Sequence, residues 1–447
     1  MNEKNISSIR FEEFKKLYDE NGGDSNLENP YAWEQRKLGE LMDVTSVKRI
    51  HQSDWTDSGI RFLRARDIVS ASKNEEPADY LYISEDKYNE YSKISGKVSE
   101  GDLLVTGVGS IGVPMLITDD TPLYFKDGNI IWFKNEHKIE GNFFYYSFIN
   151  NKIQKYIRDV AGIGTVGTYT IDSGKKTPIE LPSYEEQAKI GEFFKHVDKT
   201  ITLQQREYEK TVNFKKAMLG KLFPKEGEKN PEIRFEEFKK LYDENGGDSN
   251  PENPYAWEQR KFADVIDFSV SNNTLSRAGL NYDDGEVKNI HYGDILVKFD
   301  SIVDINSEIV PYVTDGKVED FKNQLLRNGD VILADTAEDE TTGKAVEVTG
   351  ISDDSPAVSG LHTMIGRPNI DFAPKYLGYY LNSPSYRKQL LKLMQGIKVL
   401  SLSKSNVAET EVSFPKNITE QQQIGSFLDA VDTTITLQQC KPFFCVN

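Results

Sequence analysis

The chain has 447 residues, of which 38% are hydrophobic and 28% charged, with 23 Phe, 22 Tyr and 4 Trp. This composition excludes a disordered chain, and the length excludes a single small module, since it allows two to four domains of ~100 to 200 residues. The net charge of −17 excludes a uniformly basic surface but allows a local basic groove. No stretch resembles a signal peptide or reaches the ~20 apolar residues of a membrane span, so we expect a cytoplasmic protein with no membrane partner.

Cysteine and histidine are too sparse to predict a metal site. Cys440 and Cys445 lie close to the end of the sequence, which argues against a disulfide framework. The five histidines are scattered singly, without the spacing that places two imidazoles on one helix face: His51, His137, His196, His291 and His362. We therefore expect no metal ion in this chain.

The sequence is a tandem duplication. Residues 233–261 repeat residues 9–37 with 28 of 29 positions identical, and residues 418–439 repeat 184–205 with 13 of 22 identical. The blocks between these flanks diverge, although Tyr145-Tyr146 matches Tyr379-Tyr380 at the offset of 234 that relates the second pair of flanks. We infer that the flanks share one function, while the two blocks share one fold and recognise different targets.

In chain order, the sequence predicts seven segments. They are a leader with a short helix (1–37), a first variable block (38–183), a long helix (184–223), a linker with a second leader (224–261), a second variable block (262–417), a shorter helix (418–439) and an atypical tail (440–447). Asn21-Gly22-Gly23 ends the leader helix, because glycine and asparagine are typical of helix C-termini.

Short apolar runs near Gly-Asp and Asp-Gly turns predict strands within the blocks. The clearest are Leu103–Val105 and Ile130–Phe133 in the first block, and Ile295–Val297 and Val331–Leu333 in the second. We therefore predict an α+β protein with two similar α/β domains joined by long helices that form an antiparallel coiled-coil spacer.

The predicted helix over Tyr184–Leu222 carries apolar side chains at steps of three and four, which is typical of a coiled coil. At ~1.5 Å per residue it is ~58 Å long and requires a partner helix. We expect the seam between the two copies to use Ile190, Phe194, Val197, Ile201, Ile424, Leu428, Val431 and Ile435.

Two glycine motifs have the spacing of a dinucleotide-binding loop, at residues 107–112 and 162–167. That loop works only where a helix begins, but β-like sequence follows both motifs here. We therefore predict tight turns, or turns that let backbone approach a ligand. No other motif forms a catalytic constellation, and we expect no catalytic residue.

Basic residues cluster locally in this acidic chain. Residues 383–405 hold Arg387, Lys388, Lys392, Lys398 and Lys404 without an acid, and Arg61, Arg64 and Arg66 crowd into residues 60–68. If the latter stretch is a strand, Arg64 and Arg66 share one face and Arg61 lies on the other. A solvated face is the ordinary interpretation of one such charge, whereas the clusters together favour a surface that faces DNA.

Several motifs resemble the specificity subunit of Type I restriction-modification enzymes. The first copy carries them in Trp33–Glu40 and Gly101–Thr106 with Gly109–Gly112, and the second in Asn289–Ile295, Leu333–Asp339 with Gly343–Val346, and Gly360–Thr363. Each helix also opens with a proline, Pro182 or Pro415, followed by Glu-Gln-x-x-Ile. The resemblance covers nearly the whole chain and recurs twice.

The resemblance implies that each block is a target recognition domain that reads one half of a split DNA target. The helices would space the domains and dock two methyltransferase subunits, with restriction subunits in the same phage-defence complex. S-adenosylmethionine, ATP and Mg would bind those partners, since no cofactor is expected in this chain. We expect contacts to double-stranded DNA from motif ends and basic clusters: Arg61, Arg64, Arg66, Ser110, Thr165, Thr168, Tyr169, Lys298, Asp335, Thr336, Lys344, His362, Lys398, Ser401, Ser403 and Lys404.

The second helix departs from the family pattern, because Pro442 in the tail cannot continue a helix interior. We therefore expect the distal half of the first helix to lack its partner, leaving Tyr208, Met218 and Leu222 exposed. Such a chain could be an inactive copy or a storage cassette for recombination. A third interpretation is an interaction scaffold with two modules that do not bind DNA.

Overall fold

The computed structural model describes residues 10–162 and 167–440, and its contacts divide the chain into two units, Met1–Leu203 and Gln204–Asn447. The boundary falls inside one continuous helix, Tyr184–Lys221 (α8). Within the described residues, no helix is both long and apolar enough to cross a membrane. The predicted tail, 440–447, lies outside the described residues except for Cys440.

The described part of unit 1 mixes helices and strands. Its helices before α8 are α1 Glu12–Glu20, α2 Leu38–Leu41, α3 Ala65–Ser72, α4 Glu85–Ser95, α5 Gly141–Ile149, α6 Asn151–Ala161 and α7 Ile171–Lys176. Its strands are β1 Glu34–Lys37, β2 Asp43–Thr45, β3 Trp55–Thr56, β4 Ile60–Leu63, β5 Leu81–Ile83, β6 Leu103–Thr106, β7 Pro114–Leu116, β8 Leu123–Phe125, β9 Ile130–Lys134 and β10 Pro178–Leu181.

The central sheet of unit 1 has the order β2-β9-β6-β7 and is buried on both faces. Successive side chains of a strand point to opposite faces. Phe133 of β9 therefore packs with the helical residues Phe144 and Phe148, whereas Trp132 packs with Phe62 and Tyr124 from the second sheet, β3-β5-β4-β8. Burial on both faces explains why β6 and β9 read as continuous apolar runs.

Unit 2 repeats this plan in its described residues. After α8, its helices are α9 Glu236–Glu244, α10 Phe262–Val265, α11 Tyr292–Val297, α12 Tyr376–Asn382, α13 Pro384–Leu391, α14 Lys404–Ala408 and α15 Ile418–Cys440. Its strands are β11 Trp257–Lys261, β12 Ile266–Asp267, β13 Leu280–Asn281, β14 Lys288–Ile290, β15 Ile302–Asp304, β16 Tyr312–Val313, β17 Val331–Ala334, β18 Thr336–Ala337, β19 Ala345–Thr349, β20 Ala357–Ser359, β21 Thr363–Pro368, β22 Leu400–Ser401 and β23 Glu411–Pro415.

The central sheet of unit 2, β12-β21-β17-β19-β15, extends the unit 1 order by one strand. The predicted fold class is confirmed, because each unit combines a central sheet with packed helices. One predicted strand is wrong, since Ile295–Val297 ends α11. The side chain of His291 caps that helix by accepting a hydrogen bond from the Gly293 N–H, and Ile295 is fully buried in the core.

The second half of α8 pairs with α15 in an antiparallel manner inside unit 2. Gln439 donates to the Tyr208 hydroxyl at 3.0 Å, while Lys215 Nζ lies 2.6 Å from Asp432 Oδ1. The expectation that Tyr208, Met218 and Leu222 are exposed is therefore wrong: Leu222 is only 2% exposed and Met218 packs against the core. An antiparallel pair brings the end of one helix to the beginning of the other, so the shortened α15 covers the distal half of α8.

The predicted coiled-coil seam residues of the first copy are more exposed to solvent than those of the second copy. Ile190 packs against the unit 1 core, but Phe194 is 43% exposed, and Val197 and Ile201 are only partly buried. In the second copy, Ile424 and Leu428 are buried, whereas Val431 and Ile435 are partly buried.

The correspondence of the tyrosine pairs also needs a correction. Tyr146 donates to Asp198 at 2.8 Å, and its counterpart is Tyr379, which donates to Asp432 at 2.7 Å. This correspondence has an offset of 233, the offset of Pro182 and Pro415, because the additional residue of the second copy lies after its proline.

Candidate nucleic-acid interface

In unit 1, three segments meet at the end of the central strand β6. The chain turns after β6, and the Gly112 N–H donates to the Thr106 carbonyl at 2.8 Å. The Gly107 N–H donates to Asn129 O at 2.8 Å, and the Gly107 carbonyl accepts from the Tyr169 N–H at 2.9 Å. These backbone bonds hold the loop 107–112 beside the start of β9 and the segment before α7.

Unit 2 has the same arrangement of backbone hydrogen bonds, here called the frame, at the end of β17. The Gly343 N–H donates to Ala334 O at 2.7 Å, which closes a loop over residues 335–343. The Asp335 N–H donates to His362 O at 3.1 Å, and the Asp335 carbonyl accepts from the Leu402 N–H at 2.9 Å. The two frames are therefore equivalent bond by bond.

Each unit has one such surface, which we call its loop face. The loop face comprises residues 107–112, Asn129 and Thr168 in unit 1, and residues 335–343, His362 and Ser401 in unit 2. At equivalent backbone positions, Gly107 corresponds to Asp335, Asn129 to His362 and Thr168 to Ser401. The frame is shared, whereas its side chains differ in charge and in hydrogen-bonding groups.

The predicted turn at 107–112 is confirmed, since the loop joins β6 and β7 and no helix begins there. A Cβ atom on Gly107 would meet Tyr169 O at 2.7 Å, so close backbone approach requires glycine. Gly112, at φ +79°, and Gly343, at φ +77°, adopt the left-handed conformation that glycine favours.

Polar and aromatic side chains converge on the loop face of unit 2. His362, at φ +58°, places its Nδ1 3.4 Å from Asp335 Oδ1, and its ring centroid lies 5.3 Å from that of Tyr292. Thr336 pairs with Ser401 through β18 and β22, which brings two hydroxyl side chains to the same edge. The side chain of His362 is 45% exposed and accessible to a ligand.

A charged cluster surrounds Asp294, which follows Tyr292 by two residues. Arg277 and Lys298 bind the buried Asp294 carboxylate at 2.8 and 3.0 Å. Burial opposes ionisation of Asp294, but hydrogen bonds from both cations outweigh it and hold its pKa below the usual value. Burial and the Arg277 charge lower the pKa of His291, so this imidazole is neutral at pH 7. Lys298 remains about half exposed.

The arginines of residues 60–68 do not lie on one strand. β4 ends at Leu63, and Arg64 precedes α3, binding Asp67 at 3.0 Å and Asp79 at 2.9 Å. Arg66 also pairs with Asp79. The Arg61 guanidinium lies 3.6 Å from the centroid of the Tyr80 ring. The three arginines thus gather around residues 79–80, where two carboxylates offset part of their charge.

Two of the predicted DNA-contacting side chains face the interior. Tyr169 is 2% exposed, and its hydroxyl bonds Thr177, so this side chain is not presented on the surface. Lys344 Nζ donates to the carbonyls of Leu296 and Phe299 at 3.3 and 2.7 Å, and burial lowers its pKa. The Lys344 ammonium therefore holds two backbone carbonyls together inside unit 2.

The basic residues of the stretch 383–405 fall into two groups, those that are paired within unit 2 and those that are exposed. Lys388 and Lys392 pair with Glu226, and Arg387 donates to Glu340 O, so part of this charge is used inside unit 2. The exposed members of the predicted set are Arg66, Ser110, Thr168, Lys298, His362, Lys398, Ser401, Ser403 and Lys404, of which Ser403 caps α14. Thr165 lies outside the described residues.

The prediction from sequence missed Asn129, Tyr292 and Arg277. Only Asn129 had a local signal, since Asp127-Gly128-Asn129 is a turn sequence directly before a predicted strand. Tyr292 and Arg277 contact the other residues only through the fold.

The structure defines a protein with two similar modules, which share a scaffold and differ in the side chains of their exposed loop faces. The model of the family described as Type I restriction modification DNA specificity domain matches residues 30–212 and again 254–442. The chain belongs to this family.

Relatives agree with this assignment. The Type I restriction enzyme MjaVIII specificity subunit of Methanocaldococcus jannaschii is 28% identical over 208 residues, or 44% of this chain and 46% of that protein. A relative from Haemophilus influenzae, S.HindORF215P, is 32% identical over 155 residues, or 34% of this chain and 37% of that protein. The chain thus matches less than half the length of either. The S subunit of a Type-I restriction-modification system from M. genitalium has a similar fold, with a TM-score of 0.50, 13% identity and 93% coverage of both chains.

Proposed function

We propose that this chain is a sequence-specific DNA-binding specificity subunit, in which each loop face reads one half of a bipartite target. The observation that carries the proposal is the repeated backbone frame with different side chains. A shared frame presents both faces to the duplex in the same way, while side chains at equivalent positions select different bases.

The side chains on the loop faces suit base reading. The Asn129 amide offers both a donor and an acceptor, the Asp335 carboxylate accepts, and exposed hydroxyls can do either. The exposed Lys298, Lys398 and Lys404 supply positive charge for phosphate contacts. The chain as a whole is acidic, and basic residues lie near its loop face. This distribution favours contact with DNA at that face over contact across the whole surface.

The proposal assigns the chemistry to other polypeptides. The chain would be non-catalytic and would dock two methyltransferase subunits through its helices, together with restriction subunits. S-adenosylmethionine, ATP and Mg would bind those subunits, which would carry out adenine methylation and ATP-dependent cleavage. The complex would serve defence against phage.

The test is co-expression with the cognate methyltransferase subunit, followed by methylation sequencing of the host genome. We expect a motif of two short halves with a fixed gap. Asp335→Asn combined with His362→Ala should relax one half only, and Asn129→Ala combined with Thr168→Ala should relax only the other, because each pair lies on one face. Lys16→Ala and Lys240→Ala, at equivalent exposed positions of the two leaders, are matched controls that should leave the motif unchanged.

Other outcomes distinguish the alternatives. If no modified motif appears but the purified chain binds duplex DNA with an affinity that falls steeply with salt, an inactive or storage cassette is favoured. If binding to DNA is absent or independent of salt, the chain is an interaction scaffold and the proposal fails. A variant of one face that alters both halves would contradict the assignment of one half to each face.

A further inference from the structure

The end of α8 and the two residues that follow it fill an apolar surface on unit 2, here called the seat. The Phe214 ring lies 6.1 Å from that of Phe427 in the first half of α15, and Lys215 Nζ lies 2.6 Å from Asp432 Oδ1. Leu222 and Phe223 are buried, and the Phe223 ring lies 5.5 Å from that of Tyr380. Residues 214–223 therefore contribute the Lys215 ammonium and a row of large apolar side chains to this surface.

Unit 1 contains the same seat by duplication. Phe11 and Phe193 make an edge contact at 6.0 Å, as do their counterparts Phe235 and Phe427 at 5.9 Å. Tyr146 donates to Asp198, just as Tyr379 donates to Asp432. The aromatic edge contact and the tyrosine–aspartate hydrogen bond, which form the floor of the seat, are thus the same in both units.

The two seats differ in how far they are covered. Phe194 is 43% exposed, whereas its counterpart Leu428 is fully buried. A groove of about 740 Å³ remains on unit 1, lined by Trp33, Phe143, Tyr146, Ile190, Phe194 and Asp198, among others. Asp198 at its edge is exposed, while Asp432 on unit 2 is paired with a lysine.

We propose that this groove on unit 1 docks a segment of a partner polypeptide, the end of an amphipathic helix and the residues directly after it, with the pattern of residues 214–223. The pattern is a lysine followed by large apolar side chains three or four and seven or eight positions later, as in Lys215, Met218, Leu219, Leu222 and Phe223. The lysine binds Asp198, and the apolar side chains cover Phe194 and the aromatic floor. Unit 2 supplies the template for both contacts. The proposal concerns assembly and does not rest on DNA recognition.

The test uses the full chain and a labelled peptide with the sequence of residues 206–223, titrated by fluorescence anisotropy without DNA. We expect saturable binding that Asp198→Lys and Phe194→Glu each weaken at least tenfold. A peptide carrying Lys215→Glu should bind the unchanged chain weakly and should regain most of its affinity for the Asp198→Lys chain. The matched control is Asp172→Lys, which makes the same charge change at an exposed position on unit 1 and should leave the affinity unchanged.

Three outcomes would overturn the proposal. The first is no binding at all. The second is binding that Asp198→Lys and Phe194→Glu leave unchanged, because the peptide would then be displacing its own counterpart on unit 2. The third is a dimer of the full chain that Phe194→Glu dissociates and the peptide does not, since the occupant would then be a second copy of this chain. Circular dichroism of each variant excludes loss of folding as the cause of weaker binding.

Discussion

Among the described residues of each unit, a deeply buried ion pair joins the leader to a long helix. Arg10 binds Glu186 at 2.5 Å with side chains 3% and 0% exposed, and Arg234 binds Glu420 at 2.7 Å with side chains 7% and 1% exposed. Each arginine also donates to a leader carbonyl, of Tyr31 or Tyr255. A buried charge requires a partner, so this pair fixes the leader on the helix. The arginine–glutamate pair that both copies contain therefore serves a structural purpose.

We predict that Arg234→Met destabilises unit 2 by ~3 to 5 kcal/mol, because it leaves the Glu420 carboxylate buried without a partner. Burial already raises the pKa of Glu420 against the opposing effect of Arg234. The measurement is the free energy of unfolding from urea denaturation. Lys240→Met, which removes an exposed i,i+4 pair on the same leader, should change it by less than ~0.5 kcal/mol. Equal effects of the two substitutions would contradict the structural role of Arg234.

At the scale of elements, a buried acid anchors the start of α12 to the central sheet of unit 2. Glu347 of β19 is 2% exposed and accepts hydrogen bonds from the N–H groups of Lys375 at 2.5 Å and Gly378 at 2.9 Å. Burial raises its pKa to about 7, although the N–H groups at the helix start oppose this shift. Glu347 therefore takes up a proton on folding at mildly acidic pH.

We predict that unfolding becomes easier as the pH rises from ~4.5 to ~7. The folded state binds the Glu347 proton more tightly than the unfolded state, so the stability it contributes is present below the unfolded pKa and lost on passing the folded pKa. The free energy of unfolding should fall by up to about 3 kcal/mol over that range. Urea melts of the chain with Glu347→Gln should show a flatter profile, while the exposed Glu319→Gln should retain the full slope.

At the scale of the whole molecule, α8 belongs to both units, since the boundary at Leu203 falls within it. The side chains at 203–207 are exposed, so lengthening the helix here disturbs no buried contact of either unit. Under the proposed function, the length of this helix sets the gap between the two half-targets.

We predict that seven residues inserted after Leu203 lengthen the gap of the methylated motif by about three base pairs and leave both halves unchanged. Seven residues add ~10.5 Å of helix and restore nearly the same helix face, and a base pair rises ~3.4 Å. Methylation sequencing of a strain that expresses the altered chain measures the gap. The same seven residues inserted at Gly227, in an exposed turn, should leave the gap unchanged. A change in either half would show that the insertion alters more than spacing.

Local signals determined much of the architecture. The duplication predicted two similar units, the apolar runs at Leu103–Val105 and Ile130–Phe133 predicted central strands, and glycines at 107–112 predicted a turn. Each of these features depends on neighbours in sequence, because turn geometry and strand burial are encoded within a few residues. The long helix was predicted to within two residues of its end, since its period extends over many turns.

Only the tertiary structure decided which of two adjacent residues faces outward and which end of a helix is covered. Tyr169 is buried and Thr168 exposed because the Tyr169 N–H pairs with Gly107, some 60 residues away. The apolar run Ile295–Val297 fits a strand or a buried helix equally, and packing of Ile295 in the core decided for the helix. Met218 is covered because the pairing of α8 with α15 is antiparallel. These outcomes depend on contacts between residues far apart in the chain, and no window of the sequence contains both partners.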